Sequence, residues 1–442
     1  MKILMLCLEF PPVNTTGNYR SAGFARYLCK NNVETVVLTG TVDTLVKSFD
    51  KKADDSLLKG LEKAKIYRFP IAPIKPLWSK GIGDKVRIWW NISDKIDKRW
   101  YFGENKKKID AIIKKERPDL FYVSLPPFSV ARTALEISKK FNLPLITDMR
   151  DGWSLWVSLP FSTRFHYKKV LNVERRLFKQ SKLIMGVTPE LMADFKQQHP
   201  SINANKFKTI FNGYDDLKFE NTEALKKDSV YKIGYIGSFY YHPGAEKIMN
   251  DKWYKRKGLN KLYYAPRKEQ WKYRSPYFFL KSLSILLEKK TELRSKIMFE
   301  YVGTAPKWFD NMIKDLGLND NFIHHGFVPK EEVLRIQSSW DAILATSEKI
   351  PDGDHFCLPS KLFDVVNSKK RILAFLTPGS QLNFLKDYSQ VVFFQPDEFE
   401  DNVTKLKELV EKKDVSFKTD ELSLDFHREN TAKQFYEELM KL

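Results

Sequence analysis

A chain of 442 residues is too long for one core and suggests two or three domains, and its 43% apolar content is that of a globular protein. The formal net charge of +20 asks for an acidic partner: nucleotide phosphates, nucleic acid or an anionic membrane surface. Cys7, Cys29 and Cys357 are scattered and odd in number, which excludes a disulfide framework, and no apolar run approaches the roughly 18 residues of a membrane span.

Ile3 to Phe10 is a continuous apolar run, the pattern of a parallel strand covered on both faces, and Pro11-Pro12 ends it. The start, Met1 to Glu9, is too short and too soon acidic for a signal peptide, so a cytosolic or peripheral location is expected. Asn14 to Asn18 is a turn-rich loop, and Asn18 is placed to cap a helix from Tyr19 to about Lys30. The G-x-G-x-x-G fingerprint is absent; Gly17 alone lets the backbone approach a ligand, or is a plain turn. Glu34 to Thr39 reads as a strand, Leu57 to Lys65 as a helix and Ile66 to Phe69 as a strand. Ile71 to Lys108 then breaks the rhythm. On a helix, Trp89, Ile92, Ile96 and Trp100 share a face flanked by Lys95, Lys98 and Arg99. Such a face suits either a membrane interface or docking on its own domain.

The alternation resumes with a strand from Asp119 to Ser124, a helix from Ser129 to Phe141 and a strand from Pro144 to Asp148. Strands at Leu183 to Val187 and Lys208 to Phe211 follow, with a helix opening at Pro189. Asp148, Arg150 and Asp151 fall just past a strand's C-terminal end, where open α/β sheets bind ligands. Two carboxylates flanking an arginine can pair with it and present an oxygen outward; the alternative is a salt-bridged corner.

A polar linker runs to about Ser229, and the strand Tyr231 to Ser238 restarts the pattern. Strands follow at Ile297 to Val302, Phe322 to Phe327, Ala342 to Thr346, Arg371 to Leu376 and Val391 to Phe394. Helices are expected at Pro276 to Lys289, Pro306 to Leu316, Lys330 to Trp340, Ser360 to Asn367 and Asn430 to Leu442. In Leu358-Pro359-Ser360-Lys361-Leu362-Phe363-Asp364, Pro359 bars an earlier helix and Ser360 can cap one. Free first-turn amides beside Lys361 would favour a diphosphate, and Asp364 could accept from sugar hydroxyls. An ordinary capped helix explains the stretch equally well. Asp352-Gly353-Asp354 reads as turn chemistry rather than a metal site, and His324-His325 as packed or surface residues of a strand.

The motifs in order are Phe10-Pro11-Pro12 with Gly17 and Arg20, Asp148-x-Arg150-Asp151-x-Trp153, Phe211-Asn212-Gly213, Tyr235-Ile236-Gly237, Leu358 to Asp364, and Phe426 to Asn430. With these the chain resembles a glycosyltransferase of the GT-B fold, close to glycosyltransferase family 4 of bacterial surface-polysaccharide synthesis. The resemblance implies an α/β GT-B architecture, two doubly wound Rossmann-like domains facing across a cleft. The expected division is residues 1–212 for the acceptor and 213–428 for the nucleotide-sugar, with a basic and aromatic insertion at 239–274. A C-terminal helix over 429–442 could return to the first domain.

The resemblance further implies a hexosyltransferase-like enzyme moving a sugar from a nucleotide donor, expected to be a UDP-sugar, to a hydroxyl of a saccharide or lipid-linked acceptor, with retention and without a metal or other cofactor. Asp364 matches the second glutamate of the family signature, which binds the ribose; the first falls at Phe356. Arg274 matches the family's diphosphate-binding lysine, and Ser238, after Gly237, stands where the family has arginine. Arg274, Lys361 and the helix start at Ser360 would stabilise the diphosphate, while Asp148, Arg150, Asp151 and Gly17 belong to the acceptor side. The insertion, with Trp253, Tyr254, Lys255 and Lys257, could be a lid, an acceptor contact or a solvated loop. The enzyme is expected in the cytoplasm, peripheral at the inner face of the plasma membrane, on an anionic surface, and no nucleic-acid partner is expected. Alternatives are a sugar-nucleotide epimerase of the same fold and, from a different class, a basic nucleic-acid-binding protein.

Overall fold

A computed structural model describes residues 1–15, 17–71, 101, 103–155, 157, 160–215, 229–239, 241, 243–351, 353–413 and 416–442. The expected Trp89–Trp100 face, most of the linker and Asp352 lie outside the described residues. Two compact units result: residues 1–213, 248–267 and 424–442, and residues 214–247 and 268–423. The middle of the stretch expected as an insertion therefore packs in the first unit.

The first unit holds a seven-stranded parallel sheet in the order β3-β2-β1-β4-β5-β6-β7. Its strands are β1 Lys2–Leu6, β2 Glu34–Gly40, β3 Lys65–Phe69, β4 Leu120–Leu125, β5 Leu145–Met149, β6 Ser181–Gly186 and β7 Phe207–Thr209. Its helices are α1 Asn18–Lys30, α2 Val42–Phe49, α3 Gly103–Glu116, α4 Val130–Lys140, α5 Arg164–Gln180 and α6 Pro189–Gln198. Strand β4 is buried at every position, as a central strand covered on both faces must be.

Two expectations fail here for local reasons, and one helix was not expected at all. The helix expected from Leu57 to Lys65 is a four-residue 3-10 turn, Asp55–Leu58, because Gly60 at φ +81° turns the chain away. Asn18 does not cap α1; it begins the helix, and its side-chain amide donates to the Val13 carbonyl instead. Helix α5, seventeen residues long, was hidden by its own cations. The Thr163 hydroxyl caps it by accepting from the His166 amide at 2.9 Å, and Val170, Val173, Leu177 and Phe178 are its buried stripe.

The second unit is a six-stranded parallel sheet in the order β10-β9-β8-β11-β12-β13. The strands are β8 Tyr231–Ile236, β9 Ile297–Val302, β10 Phe322–Gly326, β11 Ala342–Thr346, β12 Arg371–Phe375 and β13 Val391–Phe394. Helix α7, Pro243–Asn250, follows β8, and its last three residues count with the first unit. The others are α8 Tyr277–Lys289, α9 Lys307–Asp315, α10 Lys330–Ser338, α11 Lys361–Asn367, α12 Ser380–Leu385 and α13 Phe399–Glu411. An aromatic core of Phe279, Phe299, Tyr301, Phe309, Phe375 and Phe394 fills one face. His324 and His325 lie in β10, where they meet the Gly303 carbonyl and Glu300, each at 2.8 Å.

The last helix, α14 Arg428–Leu439, belongs to the first unit and packs on α1. Phe435 stacks on Phe24 at 4.5 Å between ring centroids and tilts against Tyr122 at 5.4 Å. In each sheet the strand order reverses once, between β1 and β4 and between β8 and β11. Beyond the C-terminal ends of strands at such a reversal, crossovers leave to opposite faces and open a crevice for ligands.

Candidate functional site

Each unit places a charged constellation at its reversal point. In the first unit, Glu9 lies beyond β1 and Arg150 beyond β5, and the two pair at 2.9 Å. The same guanidinium donates to the Pro126 carbonyl beyond β4. Gly17 makes room for it: a Cβ there would fall 1.8 Å from Arg150 Nη1 and 2.7 Å from Glu9 Oε2. Arg150 Nε is buried without a hydrogen-bond partner among the described residues, so the group retains a donor. Asp151 follows, half-buried, and its charge reinforces the protonated Arg150. Trp153 closes the corner by stacking on Phe128 at 5.2 Å, with the rings 3° apart.

Asp148 behaves differently from the expectation. It is fully buried and accepts from Arg20 Nε at 2.8 Å, from Arg20 Nη2 at 2.9 Å and from the Tyr122 hydroxyl at 2.6 Å. Arg20 Nη1 donates in turn to the carbonyls of Ile210 and Phe211, at 2.7 and 2.9 Å. Asp148 thus ties α1 to β5 and to the chain after β7, and presents no oxygen outward. The partner of Arg150 is Glu9, which the sequence reading passed over; its signal was a carboxylate closing an apolar strand.

In the second unit Lys361, the first residue of α11, reaches back to the end of β8. Its Nζ donates to the Tyr235 hydroxyl at 2.5 Å and the Ile236 carbonyl at 3.3 Å, and sits 4.1 Å from the centre of the Tyr235 ring. Gly237 follows at φ +115°, and a Cβ there would lie 3.3 Å from that amine. Ser238, Ser360 and Asp364 are exposed. Ser360 makes no side-chain cap, contrary to expectation, because it sits in the αR region instead of the extended conformation a cap needs. The first-turn amides are not left free as supposed: Leu362 donates to the Pro359 carbonyl at 3.0 Å and Phe363 to the Ser360 carbonyl at 3.2 Å. The Lys361 amine, held by Tyr235 and Ile236, places a positive charge beside Gly237.

Arg274 is also not the bare cation expected. It pairs with Glu269 and, at 2.9 Å, with Glu348 just beyond β11. Both carboxylates are buried. Burial pushes the Glu269 carboxyl up to about 7, against the pull of Arg274 and with Glu348 adding to the rise. Phe356, where the family has its first glutamate, is buried. Among the described residues no cluster of three or more His, Cys, Asp and Glu side chains could hold a metal ion.

No protein-family model matches the chain, and no curated protein matches it. Its fold does match solved structures. HepE from Anabaena, solved in complex with UDP, matches at 13% identity over 100% of each chain with a TM-score of 0.61. The lipopolysaccharide outer core galactosyltransferase WaaB matches at 12% identity, over 100% of this chain and 99% of that one, with a TM-score of 0.55. A putative UDP-N-acetylglucosamine 2-epimerase from Listeria monocytogenes matches at 8% identity, over 100% and 96%, with a TM-score of 0.51. The architecture is that of the GT-B fold, as expected from the sequence.

Proposed function

We propose that the chain is a glycosyltransferase that takes a hexose from a UDP-sugar and places it on a hydroxyl of a saccharide or lipid-linked acceptor. One observation carries the reading: a lysine amine, Lys361 Nζ, held beside an open glycine, Gly237, at the reversal point of the second sheet. A diphosphate can approach the backbone there and meet a positive charge. The UDP complex of HepE and the galactosyltransferase activity in the name of WaaB support a nucleotide-sugar as the ligand.

In the reaction the bond from the anomeric carbon to the diphosphate oxygen breaks, and its electron pair stays on the leaving UDP. The acceptor oxygen bonds to that carbon and passes its proton to the departing diphosphate oxygen. Lys361 stabilises the charge that grows on the diphosphate, as preorganised donors do where charge develops. Asp364 accepts from the ribose hydroxyls, and Gly237 and Ser238 flank the diphosphate. Arg274, neutralised by its carboxylates, fixes the wall of this site. On the first unit Arg150, Asp151 and Gly17 hold the acceptor, and Asp148, spent on Arg20 and Tyr122, fixes the frame behind them. Retention, independence of metal, a role in surface-polysaccharide synthesis and a place at the cytoplasmic face of the membrane complete the proposal. Membership of glycosyltransferase family 4 is part of it.

Titration calorimetry with UDP and UDP-glucose tests it. Binding is expected, weakened in Lys361→Ala by on the order of 1.5–3 kcal/mol, the worth of a charge-assisted hydrogen bond. Absence of any nucleotide binding by the folded protein overturns the reading. The epimerase neighbour favours a second reading within the same fold. It predicts that a UDP-sugar is converted to its epimer with no acceptor present, whereas a transferase releases UDP only as the acceptor is consumed.

A further inference from the structure

A lipid-linked acceptor requires a membrane, and one face of the first unit has the chemistry to meet one. Helix α5 exposes six cations, Arg164, Lys168, Lys169, Arg175, Arg176 and Lys179, while its single acidic residue, Glu174, is fully buried. Their spacing sets them along one side of the helix, a stripe about 21 Å long from Phe165 to Lys179. Phe165, at the N-terminal tip, is 62% exposed. Across from the stripe, α4 contributes Arg132 and Lys139. These two, with Lys169 and Arg176, line a groove of about 460 Å³. The sole carboxylate in its lining, Glu136, is paired with Lys106.

Residues 248–267 are fastened to the same end of α5. Phe161 and Tyr264 exchange two backbone hydrogen bonds, at 2.8 and 2.9 Å. Tyr264 packs on Tyr167 at 5.1 Å, and Arg164 lies 6.0 Å from the centre of its ring. Arg267 anchors the far end on Asp194. So fastened, the segment holds Trp253, Tyr254, Leu259 and Leu262 outward, each between 50% and 66% exposed. Exposed Lys252, Lys255, Lys257 and Lys261 surround them, and none meets a carboxylate among the described residues. Exposed apolar side chains scattered singly are ordinary; five large ones set in a field of cations mark an interaction surface.

We propose that this face of the first unit docks on an anionic lipid bilayer. The cations of α4 and α5 meet headgroup phosphates, and Phe165, Trp253, Tyr254, Leu259 and Leu262 enter the acyl boundary. A single-stranded nucleic acid would also use the cations and stack on the aromatics, but it gains nothing from Leu259 and Leu262. Basic and apolar groups together are the signature of an interfacial helix or loop. The inference deepens the lipid-linked acceptor reading, yet its test needs neither donor nor acceptor.

Flotation of the full chain with vesicles of phosphatidylcholine, alone or mixed with phosphatidylglycerol, decides. Binding is expected to the mixed vesicles only, and to fall as salt rises. The combined Lys168→Gln, Arg175→Gln and Arg176→Gln variant should lose roughly 100-fold in partitioning, about fivefold per cation. Trp253→Ser with Leu262→Ser should remove the binding that persists at high salt. No binding to mixed vesicles at low salt overturns the proposal. So does binding that both variants leave unchanged, or polyuridylate that binds more tightly than the vesicles. Calorimetry with UDP on the same sample keeps the two readings apart: UDP binding without vesicle binding sinks only this one, and the reverse sinks only the transferase.

Discussion

At the scale of single residues, two positions make sharp predictions. Gly17→Ala pushes a methyl group into the Arg150 guanidinium and against Glu9. The far end of an arginine can swing away, so the fold should survive at a cost of about 1–3 kcal/mol for the broken charged pair. Acceptor-dependent turnover should fall while UDP affinity holds, which steady-state kinetics beside calorimetry will show. Glu269 supplies a pH dependence. Its folded carboxyl titrates near 7 against a usual 4.5, so between these values the folded state binds more protons than the unfolded chain. Stability contributed by this group is therefore greatest at low pH and falls as pH rises through that window, by on the order of 3 kcal/mol. Glu269→Gln mimics the protonated form, keeps a neutral partner beside Arg274, and should flatten that slope and outlast the wild type above about pH 7. Urea denaturation at several pH values tests it; parallel curves for the two proteins would refute the assignment.

Among the elements, α14 is the one whose role is least evident from its position at the end of the chain. It buries Thr431, Ala432, Phe435 and Leu439 in the first unit, where Phe435 joins the core containing Phe24, Tyr122 and Met185. Phe435→Ala should cost about 3–5 kcal/mol, the range for a large aromatic truncated in a core. Chemical denaturation followed by circular dichroism measures this, and a loss under about 1 kcal/mol would mean that α14 is not docked. Helix α5 shows the opposite division of labour. Its buried stripe is short and apolar, whereas its outer face is rich in cations, so its hold on the fold and its proposed contact with lipid can be altered independently.

For the whole molecule, the two parallel sheets give two ligand-binding edges, and a nucleotide should choose one. A ligand that binds only the folded form stabilises it by roughly 2.7 kcal/mol at a hundred times its dissociation constant. Hydrogen exchange with saturating UDP is accordingly expected to slow amides around Gly237 and from Leu358 to Asp364, and to leave those around Gly17 unchanged. Protection confined to the first unit would reverse the assignment of donor and acceptor.

The parallel sheets were legible in the sequence because a strand buried on both faces must be largely apolar: Leu120–Leu125, Ile297–Val302 and Arg371–Phe375 are apolar except at Ser124, Glu300 and Arg371, a pattern visible with no knowledge of their neighbours. That rhythm implied doubly wound sheets, and the resemblance carried by the motifs implied the GT-B architecture. Helix α5 was not legible, since the cations at Arg164, Lys168, Lys169, Arg175, Arg176 and Lys179 mask a narrow apolar stripe. The site was legible in its positions and not in its pairings. The sequence places Asp148 and Arg150 at a strand end and Lys361 at a helix start, and the resemblance adds Arg274. It does not reveal that Asp148 is spent on Arg20, that Arg150 turns to Glu9, that two carboxylates surround Arg274, or that Lys361 returns to Tyr235. Strand patterns are set by neighbours a few residues away. These pairings join groups as much as 141 residues apart, and only the packed sheets bring them within reach.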